Sequence, residues 1–344
     1  MSGLNIAVVG ATGMVGQEFI KILEQRSFPV RHVSLFASGK TAGKKVLVFG
    51  REVEVREIGP HAFQGIDLAF FSAGTEISQH SAPMAVREGA VVVDNSVAFR
   101  MNNRVPLVVP EVNPQDIRRH SGIIANPNCS TIQMVVALNP LHKVNPIRRI
   151  VVDTYQSVSG TGREAVEELS TQTKAVLDGR NTVPHVYPHQ IGFNLIPEID
   201  VFLDNGYTKE EWKMLEETRK IMHAPDIAIS ATCVRVPVYI GHSEAIHVEF
   251  TRPITAGEAK QILSEAPGVR LHDDPDVNLY PQPWEVAGND DVYVGRVRED
   301  VSQPNGLVMW VVADNVRKGA ALNGIQIAEY MIDNGLLHAR NIGG

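Results

Sequence analysis

Apolar residues come in short unbroken runs in the first third of the chain and in alternation later, and the two textures predict two kinds of sheet. Residues 6–9 and 68–71 and the apolar part of 91–96 are continuous hydrophobic runs, the pattern of strands covered on both faces of a parallel sheet. Residues 33–37 read as a further strand, and residues 14–23 carry the repeat of a helix. Later, residues 150–158, 232–240 and 245–250 alternate as strands with one buried face. Residues 232–240 and 245–250 read as antiparallel neighbours joined by a turn, Gly241-His242-Ser243-Glu244. Residues 292–298 and 306–315 complete a mixed sheet. A helix is predicted after residue 131 and another, amphipathic, over residues 320–334, returning to the first domain. Residues 188–207, rich in Pro, Asn and Gly, have no period and are expected to form an ordered excursion at a subunit interface.

The first strand runs into Gly10-Ala11-Thr12-Gly13-Met14-Val15-Gly16. Strand, glycine loop and helix in that order form a variant of the dinucleotide fingerprint. Its glycines allow a tight turn and a close approach of backbone to a diphosphate at the helix N-terminus. The second strand lacks the acidic residue that pairs with a ribose 2′-hydroxyl. It continues instead into Ser38-Gly39-Lys40-Thr41, hydroxyls and a cation that suit a 2′-phosphate, so NADP is the expected cofactor. The strand ending at Ser72-Ala73-Gly74 borders the same crevice, and Arg100 follows the next strand.

Composition narrows the class. The chain has 344 residues, 44% of them hydrophobic, a net charge of −7 and two cysteines. That is enough for about two domains, it argues against nucleic acid as a partner, and it leaves no disulfide framework. No apolar run approaches the ~18 residues of a membrane span, and the first residues lack the features of a signal peptide. A cytoplasmic protein with no membrane partner is expected, and no residue cluster has metal-ligand spacing. Cys129 stands in Asn126-Pro127-Asn128-Cys129-Ser130-Thr131, a proline turn followed by a helix. A helix N-terminus favours a thiolate, although an inert buried thiol is the commoner fate of a free cysteine and stays open on position alone. Cys233 lies within a strand and reads as core. Arg235 shares its face and needs an anionic partner, either a ligand or a structural acid. His242 is expected in a turn.

Together these segments resemble the aspartate-semialdehyde dehydrogenase family: the glycine loop, the Asn-Pro-Asn-Cys-Ser-Thr run, Gln156 before Ser159-Gly160, and Arg235 seven residues before His242. The related N-acetyl-glutamyl-phosphate reductases share the layout but have Asn-Pro-Gly-Cys-Tyr at the nucleophile. The resemblance implies an α/β fold. A Rossmann-type NADP-binding domain would comprise residues 1–131 plus 316–344, and an α+β mixed-sheet catalytic and dimerisation domain residues 132–315. It implies NADP-dependent conversion of aspartyl phosphate to aspartate semialdehyde and inorganic phosphate, in biosynthesis of lysine, methionine, threonine and isoleucine. Cys129 would be the acyl-thioester nucleophile, His242 the acid/base and Gln156 the group that holds substrate near the thiol. Arg235 would bind the substrate carboxylate, Arg100, Lys213 and Asn128 the phosphate, and Glu210, or its neighbour Glu211, the ammonium. Cofactor contacts would come from Gly10, Thr12, Gly13, Met14, Val15, Ser38, Lys40, Thr41, Ser72, Ala73, Gly74, Ser159, Gly160 and Asn315. Many relatives carry arginine where this chain has Lys40. A homodimer, or a homotetramer, is implied.

Overall fold

The computed structural model describes residues 3–337 and divides the chain into two α/β units. Among the described residues, 3–128 and 320–337 form one and 129–319 the other, against expected boundaries at 131/132 and 315/316. The first unit contains β1 (Leu4–Val9), α1 (Met14–Gln25), β2 (Val30–Phe36), β3 (Lys45–Val48), β4 (Arg51–Arg56), β5 (Leu68–Phe71), α2 (Thr75–Arg87), β6 (Val91–Asp94) and β7 (Ile123–Ala125). The second contains α3 (Cys129–Val144), β8 (Ile147–Gln156), α4 (Arg163–Leu177), α5 (Lys209–Ile221), β9 (Ala228–Arg235), β10 (His242–Phe250), α6 (Ala256–Ser264), β11 (Val269–Leu271), α7 (Pro283–Val286), β12 (Val292–Glu299) and β13 (Gly306–Ala313). A π-helical turn, Arg317–Ala321, precedes α8 (Leu322–Asp333), which belongs to the first unit.

The first sheet has the order β3-β4-β2-β1-β5-β6-β7 and is parallel except for β3. Its apolar runs follow from two-sided burial. On one face Ile6, Val8 and Phe70 pack with Phe19 of α1 and Ile325 of α8; on the other Ala7, Val9 and Phe71 pack with Ala82 and Ala85 of α2. Phe19 and Phe70 stack at 4.7 Å between centroids. The strand order reverses at β1, and ligands of such sheets bind outside the strand ends at that point.

The second sheet has the order β11-β12-β13-β10-β8-β9 and is mixed. Helices α3 and α5 pack on it, and β8 alternates, with every second residue from Ile150 to Gln156 buried. One expectation is corrected. β9 and β10 are not hairpin partners: β8 lies between them, parallel to β9 and antiparallel to β10. β9 stops at Arg235, ahead of Pro237, which cannot donate to a ladder. His242 is accordingly the first residue of β10 rather than part of a turn.

Candidate active site

The register of the second sheet assembles the side chains singled out in the sequence. Gln156 at the end of β8 pairs with Arg235 at the end of β9, and His242 opens β10 on the other side of β8. Residues directly opposite on neighbouring strands share a face, so these three form one polar row. All three are buried. Gly160, in the short 3-10 turn after β8, closes over the row. A Cβ there would lie 3.1 Å from Arg235 Nη1 and 3.3 Å from His242 Nε2, so a side chain at this position would fill the space that a reactant needs.

Ser157, which the sequence reading missed, holds the row together. Its carbonyl accepts a hydrogen bond from Arg235 Nη1 at 2.7 Å, and its backbone N–H donates to His242 Nδ1 at 3.1 Å. An amide N–H can only donate, so a neutral His242 carries its hydrogen on Nε2. Burial, with the Arg235 guanidinium beside it, holds the imidazole well below its usual pKa and therefore neutral at neutral pH. Nε2 is buried and has no partner among the described residues, which makes its N–H a directed hydrogen-bond donor. Arg235 Nε also has no partner. The guanidinium lies 5.8 Å from the centre of the Tyr187 ring, and among the two partners expected, a ligand or a structural acid, no acid is seen: the Ser157 carbonyl accepts from it.

Asn315 sits behind this turn. Its Oδ1 accepts from the Ser157 and Ser159 hydroxyls and from the Gly241 N–H, and its Nδ2 donates to Ser159 Oγ at 2.9 Å. Both amide atoms are thus committed to the fold around Ser159-Gly160.

Helix α5 separates its two glutamates. Thr208 caps the helix and Glu211 completes a capping box, with Oε2 accepting from the Thr208 N–H and Oε1 from the Cys233 N–H. Glu211 is therefore structural. Glu210 turns to the row instead: its Oε1 accepts from Gln156 Nε2 at 3.3 Å and its Oε2 from Lys213 Nζ at 3.1 Å. Lys213 also donates to Asp200 at 2.7 Å. Burial opposes its charge, but the Glu210 and Asp200 carboxylates outweigh that and shift its pKa upward.

Cys129 is the first residue of α3 and half-buried, at the helix end where N–H groups lack intrahelical acceptors. Gly319 of the π-helical turn packs on it: a Cβ at 319 would lie 2.9 Å from Cys129 Cβ. Cys233 is fully buried beside Met214, and burial pushes its thiol well up, so the two cysteines differ in chemistry.

The first unit carries a separate cavity of about 840 Å³ at the strand ends. Gly10, Thr12, Gly13, Ser38, Ser72 and Ala73 line it. Gly10 sits at φ +85° and its N–H donates to Phe36, while the Ser72 N–H donates to Val9, so three strand ends are tied at one point. A Cβ on Gly10 would lie 2.7 Å from the Ser72 carbonyl, and one on Gly16 would collide with the Gly10 backbone. Thr12 and Thr41 hydroxyls bond at 3.2 Å, joining the glycine loop to the turn that bears the exposed Lys40. Met14 and Val15 begin α1, and Gly74 caps α2 at φ +87°. Glu57, also missed in the sequence reading, lines this cavity beside Gly39. Arg100 is buried and donates to the Asn95 carbonyl at 2.9 Å, and Asn128 is buried immediately before Cys129.

Comparison with known proteins agrees across both units. Residues 5–120 match the family model "Semialdehyde dehydrogenase, NAD binding domain", and residues 138–318 match "Semialdehyde dehydrogenase, dimerisation domain". The chain is 52% identical to an aspartate-semialdehyde dehydrogenase of Bacillus subtilis over 95% of its length and 97% of the relative's. Among solved structures it is similar to aspartate semialdehyde dehydrogenase II of Vibrio cholerae complexed with ASA (TM-score 0.94, 46% identity, covering 97% of this chain and 99% of that one). It is also similar to the Candida albicans protein with NADP (TM-score 0.77, 28% identity, covering 97% and 100%).

Proposed function

The chain belongs to the aspartate-semialdehyde dehydrogenase family, and from that premise we propose that it interconverts aspartyl phosphate and aspartate semialdehyde through a thioester on Cys129. The observation that carries this reading is the buried row of Arg235, Gln156 and His242, with unpartnered nitrogens on the arginine and the histidine. Arg235 pairs with the substrate carboxylate, for which a planar fork is suited. Gln156 bridges substrate and Glu210, and Glu210, freed from capping by Glu211, receives the ammonium. Lys213, Arg100 and Asn128 are assigned to the phosphate. Asn315 acts by holding Ser159 and Gly160 in place.

In the reductive direction the Cys129 thiolate attacks the acyl carbon to give a tetrahedral oxyanion, which collapses to the thioester as phosphate leaves and takes a proton from solvent. Hydride addition to the thioester carbon gives a second oxyanion, whose collapse breaks the C–S bond, returns the thiolate and releases aldehyde; the His242 Nε2–H hydrogen-bonds the oxyanion at both stages. The covalent step divides one difficult reduction into two easier ones. The cavity of the first unit suits a dinucleotide: Gly10 and Gly16 pack the loop so tightly that a Cβ on either would strike backbone, and such a glycine loop at a helix N-terminus receives a diphosphate. A bound nicotinamide supplies the hydride. NADP is favoured over NAD by Ser38, Lys40 and Thr41, against the nearby carboxylate of Glu57. The half-buried face of the second sheet, which includes Val151, Tyr155, Ala245 and Trp310, is assigned to a homodimer contact. No described helix is long and apolar enough to cross a membrane, in keeping with a cytoplasmic enzyme.

The test is NADPH formation from aspartate semialdehyde and NADP with and without inorganic phosphate, in the wild type and in Cys129→Ala. Phosphate-dependent turnover that vanishes in the variant is expected. No turnover with this substrate, alongside turnover of an N-acetylated analogue, would overturn the substrate assignment.

A further inference from the structure

Beneath the Arg235–Gln156–His242 row runs a second polar row that no step above uses. The registers pair Thr154 with Cys233 on one side and with Glu244 on the other. These three therefore lie under Arg235, Gln156 and His242, roughly 7 Å along the strands. The covering helix α3, which packs on β8 and β10, repeats the arrangement, because Gln133 is one turn beyond Cys129 on the same helix face. Two columns result: Cys129 over Gln133 on the helix, and His242 over Glu244 on the strand.

Gln133 and Glu244 are wholly buried. The carboxamide is near enough to act on the carboxyl, yet at a geometry short of a full hydrogen bond, and none of the four polar atoms has another partner among the described residues. Buried polar atoms of this kind cost stability unless they are satisfied, and two apolar side chains would fill the same space. We propose that Gln133 and Glu244 form an amide–acid clamp that holds the first turns of α3 against the start of β10 and so positions Cys129 and His242. With Glu244 protonated, its O–H donates to Gln133 Oε1 and the Gln133 N–H donates to the other Glu244 oxygen, which satisfies all four atoms in one ring. Burial pushes the Glu244 carboxyl well above its ordinary range and favours this form. The titratable and charged groups on this face are Cys129 of α3, Cys233 and Arg235 of β9, His242 of β10 itself, and Glu210 and Glu211 of α5, which act on Cys233. At the paired positions β13 presents Val311 and Ala313, which carry no charge.

The inference rests on the catalytic reading of Cys129 and His242, and its test separates the two. Wild type, Glu244→Gln, Glu244→Leu and Gln133→Leu are compared in kcat, in KM for the semialdehyde, and in the pH dependence of Cys129 alkylation by iodoacetamide, mapped by mass spectrometry. The last needs no substrate. Glu244→Gln, whose amide can form the same ring, keeps kcat within about threefold. Each leucine variant loses kcat roughly tenfold to a hundredfold at little change in KM, the pattern of misplaced reacting groups. Each also moves the alkylation midpoint to higher pH, because a loosened helix start stabilises the thiolate less. An unchanged kcat and alkylation profile in a leucine variant overturns the clamp, as does a Glu244→Gln variant as impaired as Glu244→Leu. Should Glu244→Leu not fold, Gln133→Leu reads the same quantities from the helix side. Wild-type turnover that survives Cys129→Ala overturns the catalytic reading, and the clamp with it.

Discussion

The dinucleotide cavity of the first unit and the polar row of the second both prepare a place for an anion at the end of a sheet, and they do so with opposite materials. The cavity is organised by a glycine loop. Gly10, Gly13 and Gly16 lie within seven residues, and the neighbouring strand ends contribute Ser38, Ser72 and Ala73. The row is made of side chains from β8, β9, β10 and α5 that meet only through strand register. Backbone sites fail when a Cβ is added; side-chain sites fail when a functional group is removed or slips by one position.

Substitutions separate the two modes. The largest effect is expected in the row. Arg235→Ala removes a buried, hydrogen-bonded charge, and kcat/KM for the semialdehyde falls roughly a thousandfold, or about 4 kcal/mol. Steady-state kinetics will show that loss with the KM for the dinucleotide unchanged. Gly319→Ala breaks the rule that glycines matter only in the cavity. Its Cβ would press on Cys129, so kcat drops about a hundredfold while Km for both substrates holds, and a thermal melt confirms a folded protein. Gly16→Ala acts on the cavity instead. It forces apart the Gly10 backbone, costs about 1–3 kcal/mol of stability and raises the KM for the dinucleotide, read from a melt and from kinetics.

A gentler probe uses pH. Burial pushes the Glu244 carboxyl well above its ordinary value of 4.5 in the fold, whereas the unfolded chain gives up its proton above about pH 4.5. The native state thus binds the extra proton, and this residue's contribution to stability declines as pH rises from 4.5 toward its folded value. Glu244→Gln removes the dependence. Denaturation followed from pH 5 upward should show the variant gaining on the wild type as pH rises.

The cavity was legible because it is local: an apolar strand, a glycine loop and a helix follow one another in sequence. The side chains of the row were also visible as types, but not their arrangement. Residues 232–240 and 245–250 look like a hairpin because alternation reports a buried face and says nothing of which strand lies alongside, so the insertion of β8 was hidden. The distinct duties of Glu210 and Glu211 were readable in Thr208-Lys209-Glu210-Glu211, a capping-box pattern that the charge-rich helix obscured. Glu244 was illegible, since a carboxyl in a predicted turn reads as solvated, and only the register turns it inward. Ser157 and Gly319 act through a backbone carbonyl, a backbone N–H and a missing Cβ, which residue type does not announce.

The account turns on the covalent role of Cys129, and mass spectrometry of the protein after aspartate semialdehyde and NADP are added without phosphate tests it most directly. An aspartyl adduct confined to the Cys129 peptide, absent from Cys129→Ala and discharged by inorganic phosphate, is the predicted result. Turnover under phosphate with no adduct on that peptide, or an adduct on another residue, would contradict it.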